Sequence, residues 1–261
     1  MRFSYDANFC WRDALGHDVM QQLYDRYDAK QFATLTPDIG SFDHPRFVQI
    51  CRLVGESEKI LDVGSGFGEF SRKLAKRGKK VVAWDISNRT IEMCKSAGIE
   101  AYQINIETDP FIDCGTFDVI LMLEIFEHLI DPLVALAKLK SLLNPRGLLV
   151  LSTPNAAYIK WRLQLLFGGL PDFGEDRILS DRPYNLLHKT PVTYDALRQV
   201  LATAGFEITS VEAEDYGVSV GWSKPGLRHI REWFRKNWLS LFAGSFVVSA
   251  HPFQSTEHRL V

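Results

Sequence analysis

Ile60-Leu61-Asp62-Val63-Gly64-Ser65-Gly66-Phe67-Gly68-Glu69-Phe70 runs an apolar strand into three alternating glycines and then into a helical pattern. Glycine tolerates positive φ and carries no Cβ, so a strand ending this way lets backbone N–H groups approach a ligand closely. The reading is a nucleotide-binding turn. The apolar run Val81-Val82-Ala83-Trp84 closes on Asp85, about twenty residues beyond the turn, the position from which a carboxylate accepts hydrogen bonds from a ribose diol. A dinucleotide fingerprint would want a further glycine or alanine where this chain has Glu69, which counts against a nicotinamide cofactor.

Outward from the turn, short apolar runs alternate with helical patterns, the signature of a parallel sheet wound with helices on both faces. Strands are expected at Lys59 to Val63, Lys80 to Trp84, Ala101 to Ile104, Phe117 to Leu123 and Leu148 to Ser152, with helices at Glu69 to Lys76, Ser87 to Ala97 and Pro132 to Leu143. Phe206 to Val211 and Phe246 to Ala250 read as the last two strands. Thr193 to Ala204 is the helix before them, with Thr193 as N-cap and Gly205 as its end.

Three stretches fall outside this alternation. Residues 1–45, rich in aromatics and aspartate, are expected to form an N-terminal cap over the cofactor cleft, leaving 46–261 as the main domain. Residues 155–190 and 215–245 are insertions far longer than ordinary connections and are expected to shape a substrate pocket. Tyr158, Trp161, Phe167, Phe173 and Tyr184 would give that pocket flat apolar walls, suited to saccharides and planar rings alike.

Four blocks in order, D-V-G-S-G-F-G, W-D-I-S, F-D-V-I-L-M-L-E-I-F-E-H-L and L-L-N-P-R-G-L-L-V-L-S-T-P-N, resemble the class I S-adenosylmethionine-dependent methyltransferases from about Ile60 to Glu212. The E-x-x-E-H tract and the later H-K-T-P-V-T-Y-D-A-L and A-G-F-E look like the branch that methylates oxygen on quinones, sugars and small metabolites. The resemblance implies a Rossmann-like α/β fold with a mainly parallel seven-stranded sheet, helices on both faces and an antiparallel edge. It implies S-adenosyl-L-methionine as cofactor and S-adenosyl-L-homocysteine as product. Asp62 would orient the turn, Gly64, Ser65, Gly66 and Gly68 would face the methionine and ribose, and Asp85, followed by Ile86 and Ser87, would hold the diol. Asn105, Ile106 and Glu107 lie where the family walls the adenine and contacts its amino group, although Ile86 and Ile106 read equally well as core. Leu123 and Glu124 would close the far side.

A hydroxyl acceptor needs its proton removed, and histidine is the usual side chain for that work near neutral pH. His128, at the end of the fourth strand, is the expected general base. His188, at the end of the first insertion, is the alternative, with Glu127 in support. A second arrangement gathers Glu124, Glu127, His128 and His188 around a divalent cation that would lower the acceptor's pKa, and it resembles the site of small-RNA terminal 2′-O-methyltransferases. The metal-free arrangement is the expectation. N- or C-methylation of a small molecule, RNA 2′-O-methylation and cofactor binding without turnover remain open beside it.

The 261 residues carry a formal net charge of −2 and a pI near 6.4. No global field draws such a molecule onto nucleic acid, and the partner implied is a small-molecule acceptor. Locally, Leu227, Ile230, Phe234, Trp238 and Leu241 share one side of a helical wheel, and Arg228, Arg231 and Arg235 another. That basic amphipathic segment, 226–241, could rest on an anionic membrane as a peripheral contact or pack as a lid. Cys10, Cys51, Cys94 and Cys114 form no CxxC, and neither a signal-length apolar run at the N-terminus nor a stretch of eighteen apolar residues is present. Free thiols and a reducing cytoplasm are therefore expected. The aromatic cap leaves a homodimer open.

Overall fold

The computed structural model describes residues 45–110, 112–169, 171, 188–214 and 238–253. Seven strands form one sheet in the order β3-β2-β1-β4-β5-β7-β6: β1 (Lys59–Val63), β2 (Lys80–Asp85), β3 (Glu100–Gln103), β4 (Phe117–Leu123), β5 (Leu143–Pro154), β6 (Phe206–Glu214) and β7 (Ser245–Pro252). β1 to β5 pair in parallel, while β7 runs antiparallel between β5 and β6. The antiparallel strand thus lies second from the edge, and β6 is the edge itself.

The helices are α1 (Pro45–Val54), α2 (Glu69–Lys76), α3 (Asn88–Ser96), α4 (Pro132–Leu142), α5 (Ile159–Leu166), α6 (Tyr194–Thr203) and the short α7 (Leu239–Phe242), with a 3-10 turn at Phe126–His128. Strand alternation sends successive side chains to opposite faces. Ile60, Val81, Val119, Leu121 and Val150 pack under Phe47, Ile50 and Val54 of α1 and Leu74 of α2, and Ala83 and Ala101 under Ile91 and Cys94 of α3. Leu61, Val82, Ile120, Leu149 and Val248 face the other way, onto Leu136 and Leu139 of α4 and Leu197 and Leu201 of α6. Helices therefore cover both faces.

The strands match the periodicity reading to within a residue or so, except that β5 begins at Leu143, ahead of Leu148, and β6 continues to Glu214. Residues 144–147 fall in the register break between the Phe117–Leu143 and Val119–Leu148 pairs, and the apolar run that marks the strand in sequence starts only at Leu148. Thr193 caps α6 as expected, its side chain accepting from the Ala196 N–H. Helices α1 and α5 lie where the sequence pattern was too weak to assign them. The expected N-terminal cap, most of the pocket between 170 and 187, and the basic segment 226–237 lie outside the described residues. Among the described residues no helix is long and apolar enough to cross a membrane.

Candidate functional site

The chain leaves β1 toward β2 and β3 on one side and returns to β4 on the other, and the crevice outside the strand ends at such a reversal is where open α/β sheets bind ligands. The glycine turn occupies it. Gly64 and Ser65 donate their N–H groups to Trp84 O at 2.7 and 3.2 Å, and Gly68 N–H donates to Ser65 O at 2.9 Å. Gly64, Gly66 and Gly68 hold φ values of 69°, 52° and 68°, and their surroundings differ. A Cβ on Gly64 would collide with the Ile125 side chain, and one on Gly68 would lie 2.7 Å from Cys94 Sγ. A Cβ on Gly66 meets nothing within 4 Å. Two glycines are thus required by packing, and the third faces open space.

Asp85 aims its carboxylate at this opening: Oδ2 accepts from Gly66 N–H at 3.0 Å and Oδ1 from Ser87 N–H at 2.9 Å. These two backbone bonds fix the orientation of the carboxylate at the end of β2. Asp62, paired in register with Ala83 and so on the same face of the sheet as Asp85, is buried and accepts from Ser71 Oγ of α2 at 2.6 Å, which ties it to that helix. Burial raises its pKa to about 6 against the lowering effect of the Ser71 hydrogen bonds.

The remaining expected cofactor residues divide by where their side chains go. Ser87 is buried and caps α3, accepting from Thr90 N–H. Glu107 Oε1 accepts from Ile130 and Asp131 N–H at 2.9 and 2.6 Å, at the entry to α4. Asn105 Oδ1 accepts from Glu107 N–H. Ile106 lies in the core with Trp84 and Ile104, while Ile86 and Leu123 are half-buried at the crevice.

At the end of β4, Glu124 adopts φ 56°, a conformation uncommon outside glycine that persists only where its surroundings hold it. Its N–H donates to Ser152 O, and its Oε1 accepts from Ser152 Oγ at 2.7 Å and Arg46 Nη2 at 3.3 Å. Glu127 is buried, its Oε2 accepting from Thr153 Oγ1 at 3.1 Å. Adjacent hydroxyls at the end of β5 thus hold the two glutamates of the E-x-x-E tract.

The first insertion returns to this point. Lys189 and Thr190 N–H groups donate to Glu127 O at 2.7 and 3.0 Å, Lys189 Nζ to His128 O at 3.2 Å, and Thr190 Oγ1 to Leu129 O at 2.6 Å. This zipper sets the His128 and His188 rings edge to face with centroids 4.9 Å apart. Glu127, His128 and His188 each place one ligand-type atom within 4.8 Å of the others'. Burial, with Lys189 beside it, lowers the His188 pKa to about 4, so the ring is neutral at pH 7. Glu124, the fourth metal candidate from sequence, is turned instead to Arg46 and Ser152.

Sequence reading missed Arg46, Ser152 and Thr153. Arg46 meets Glu124 across 78 positions, and no local pattern announces such a pair. The two hydroxyls sit beside the T-P-N turn, where strand alternation at the end of β5 was the available signal.

The strand order, the glycine turn at the reversal and the carboxylate closing β2 define a class I methyltransferase fold. Residues 29–211 match the family described as a methyltransferase domain, and the chain belongs to that family. Relatives include ubiquinone biosynthesis O-methyltransferases of Histophilus somni, 32% identical over 51% of this chain and 62% of that protein, and of Cereibacter sphaeroides, 30% identical over 51% and 60%. The chain spans about three fifths of these relatives' length. Similar solved structures include an S-adenosylmethionine-dependent methyltransferase from Mesorhizobium loti, with TM-score 0.57 and 20% identity over 81% of this chain and all of that one. The N-methyltransferase NodS from Bradyrhizobium japonicum in complex with S-adenosyl-L-homocysteine aligns with TM-score 0.54 and 16% identity over 88% of this chain and all of that one. At these identities the structural likeness speaks for the fold.

Proposed function

We propose that the protein transfers a methyl group from S-adenosyl-L-methionine to a hydroxyl oxygen of a small-molecule acceptor, with His128 and His188 at the acceptor end of the cleft. The observation that carries this reading is the placement of two histidines and a buried glutamate at the strand-end crevice that also holds the open glycine and Asp85. The ubiquinone-related names of the relatives support oxygen as the acceptor atom and a ring-bearing acceptor as one class, beside the sugar and natural-product hydroxyls that the sequence leaves open.

The fit to the cofactor rests on the face at Gly66 and on the oriented Asp85 carboxylate, which suit backbone approach and a ribose diol. The sulfonium supplies an electrophilic methyl carbon. The chain's residues align the acceptor oxygen behind that carbon, and alignment of this kind contributes a large part of the rate in displacement reactions. As the new O–C bond forms and the S–C bond breaks, the hydroxyl proton passes to an imidazole nitrogen. His128 is the base in this reading. His188, which is neutral, stands edge-on to it and is placed to orient it or the acceptor.

The same trio supports a second reading, in which Glu127, His128 and His188 hold a divalent cation that binds the acceptor oxygen. Oxygen and imidazole ligands suit Mg²⁺, Mn²⁺ or Zn²⁺. Thorough dialysis against EDTA separates the two: turnover unchanged after chelation removes the metal, whereas loss restored by a single added cation establishes it.

The test of the function is transfer of radiolabelled methyl from S-adenosyl-L-methionine into host-cell extract, partitioned into organic, aqueous small-molecule and RNA fractions. Label in an organic or small-molecule fraction, released from an ether on analysis, is the expected result. Label confined to RNA, or attached to nitrogen or carbon, overturns the assignment.

A further inference from the structure

Sequence reading sets Glu107 against the adenine, but the fold gives its side chain other partners. One oxygen, Oε1, accepts from two backbone N–H groups, Ile130 at 2.9 Å and Asp131 at 2.6 Å. These residues stand just ahead of α4, two and three positions beyond His128. Pro132 in the first turn of α4 brings no N–H, and the Asp131 side chain makes no capping hydrogen bond there. The entry to α4 is therefore steadied by a carboxylate more than twenty positions away.

The link between His128 and α4 is held from two sides. Lys189 Nζ donates to His128 O at 3.2 Å and Thr190 Oγ1 to Leu129 O at 2.6 Å, while Glu107 takes the N–H groups that follow. The turn that bears Glu107 is itself anchored to the end of β2. Ile104 N–H donates to Asp85 O at 2.8 Å, Asn105 Oδ1 accepts from Glu107 N–H at 3.0 Å, and Asn105 N–H donates to Asp109 Oδ2 at 2.8 Å. Lys138 of α4 adds a second tie, donating from Nζ to Asp109 O at 2.7 Å. A set of hydrogen bonds thus runs from the residue that ends β2 to the residues that follow His128.

We infer that Glu107 is a positioning residue and not a cofactor contact: by holding Ile130 and Asp131 it sets the backbone of 127–129 where the His128 and His188 rings meet edge to face. The catalytic consequence rests on the proposed function, whereas the placement of the rings is read without any acceptor. The position makes narrow demands. Because both bonds end on one oxygen, glutamine, with its carbonyl oxygen at the same reach, accepts both. Aspartate is one methylene too short, and alanine offers the two N–H groups no acceptor.

The first measurement is the histidine ring spectrum of the full, ligand-free chain by proton–carbon NMR. Rings edge to face with centroids 4.9 Å apart displace one another's proton resonances, and His128→Ala and His188→Ala identify the pair. The displacement is expected to persist in Glu107→Gln and to be lost in Glu107→Ala and Glu107→Asp. His251, whose Nδ1 meets Gly147 O at 2.8 Å near the start of β5, is the internal control and is expected to stay in place. Wild-type resonances for the pair in Glu107→Ala, or in Glu107→Asp should the alanine variant not fold, overturn the inference. So does loss of the displacement in Glu107→Gln, or movement of His251 together with the pair, which marks a loosening of the whole fold. The second measurement is calorimetric titration of S-adenosyl-L-homocysteine into the same alanine or aspartate variant. Affinity close to wild type is expected, and a loss of about tenfold or more returns Glu107 to the cofactor site. With an acceptor in hand, kcat for methyl transfer by that variant is expected to fall about tenfold or more while KM for S-adenosyl-L-methionine holds, and an unchanged kcat overturns the positioning role. Absence of transfer by the wild type would sink the proposed function, while the ring spectrum would still decide what Glu107 holds in place.

Discussion

Asp85, at the end of β2, and His128, in the 3-10 turn after β4, carry separable predictions. Asp85→Ala removes a carboxylate fixed by the Gly66 and Ser87 N–H groups, and loss of charge-assisted hydrogen bonds to a diol should weaken cofactor binding by about 1.5–3 kcal/mol, roughly tenfold to a hundredfold in calorimetric Kd. His128→Ala should leave that Kd within twofold and lower methyl transfer by about a hundredfold or more, read by single-turnover transfer of label. Asp62 gives a pH-dependent prediction of a different kind. Its folded pKa, raised to about 6 from 3.8 by burial, means the folded state favours the protonated form. The stability this contributes is fully present below the unfolded pKa and is lost as pH rises through 6. Two units correspond to about 3 kcal/mol. Urea unfolding of the ligand-free protein at pH 3.5 and pH 7 should show the difference between wild type and Asp62→Asn moving in the asparagine's favour as pH rises. A difference independent of pH would mean that Asp62 is ionised in the fold without penalty. The positions of Asp62, Asp85 and His128 could be singled out in sequence because each lies in or just after a strand that the apolar runs mark. Arg46 was not, because its partner Glu124 is distant in sequence.

The glycine turn shows how one element serves packing and binding at once. Gly64→Ala must both hold φ 69° with a Cβ and displace the Ile125 side chain, and should cost about 2 kcal/mol or more of stability. Gly66→Ala shares the backbone strain, about 1 kcal/mol, but meets no neighbour within 4 Å. Its larger effect should fall on cofactor affinity. Thermal melts of the two variants, with and without S-adenosyl-L-homocysteine, check this: the ligand-induced rise in Tm should survive better in Gly64→Ala than in Gly66→Ala, and the reverse order would misplace the open face. The parallel strands could be read from continuous apolar runs such as Val119 to Met122, which are buried. Their order, β3-β2-β1-β4-β5, is not written in those runs and is seen in the folded sheet. Helix α5 could not be read in the same way, because Leu163, Leu165, Leu166 and Phe167 are exposed and its apolar residues follow no single stripe.

Across the described residues, the sheet and its glycine turn are written in contiguous motifs, whereas the cluster of Glu127, His128 and His188, the proposed acceptor end, is assembled from pieces far apart in the chain. His188 reaches His128 only because Lys189 and Thr190 bind the backbone of 127–129, and the Asn155 amide binds the carbonyls of Ser240 and Ala243 across 85 and 88 positions. These are long-range backbone pairings that leave no periodicity. The family's cofactor chemistry is therefore more visible in sequence than the identity of its acceptor, which on the proposed reading is set by the insertions. The central claim is that this crevice binds the methyl donor with Asp85 at the ribose and His128 at the acceptor end. Calorimetric titration of S-adenosyl-L-homocysteine into wild type, Asp85→Ala and His128→Ala tests it most directly. The account predicts one-site binding by wild type, a loss of tenfold or more in Asp85→Ala, and wild-type affinity in His128→Ala. No binding by wild type, or equal losses in both variants, would contradict it.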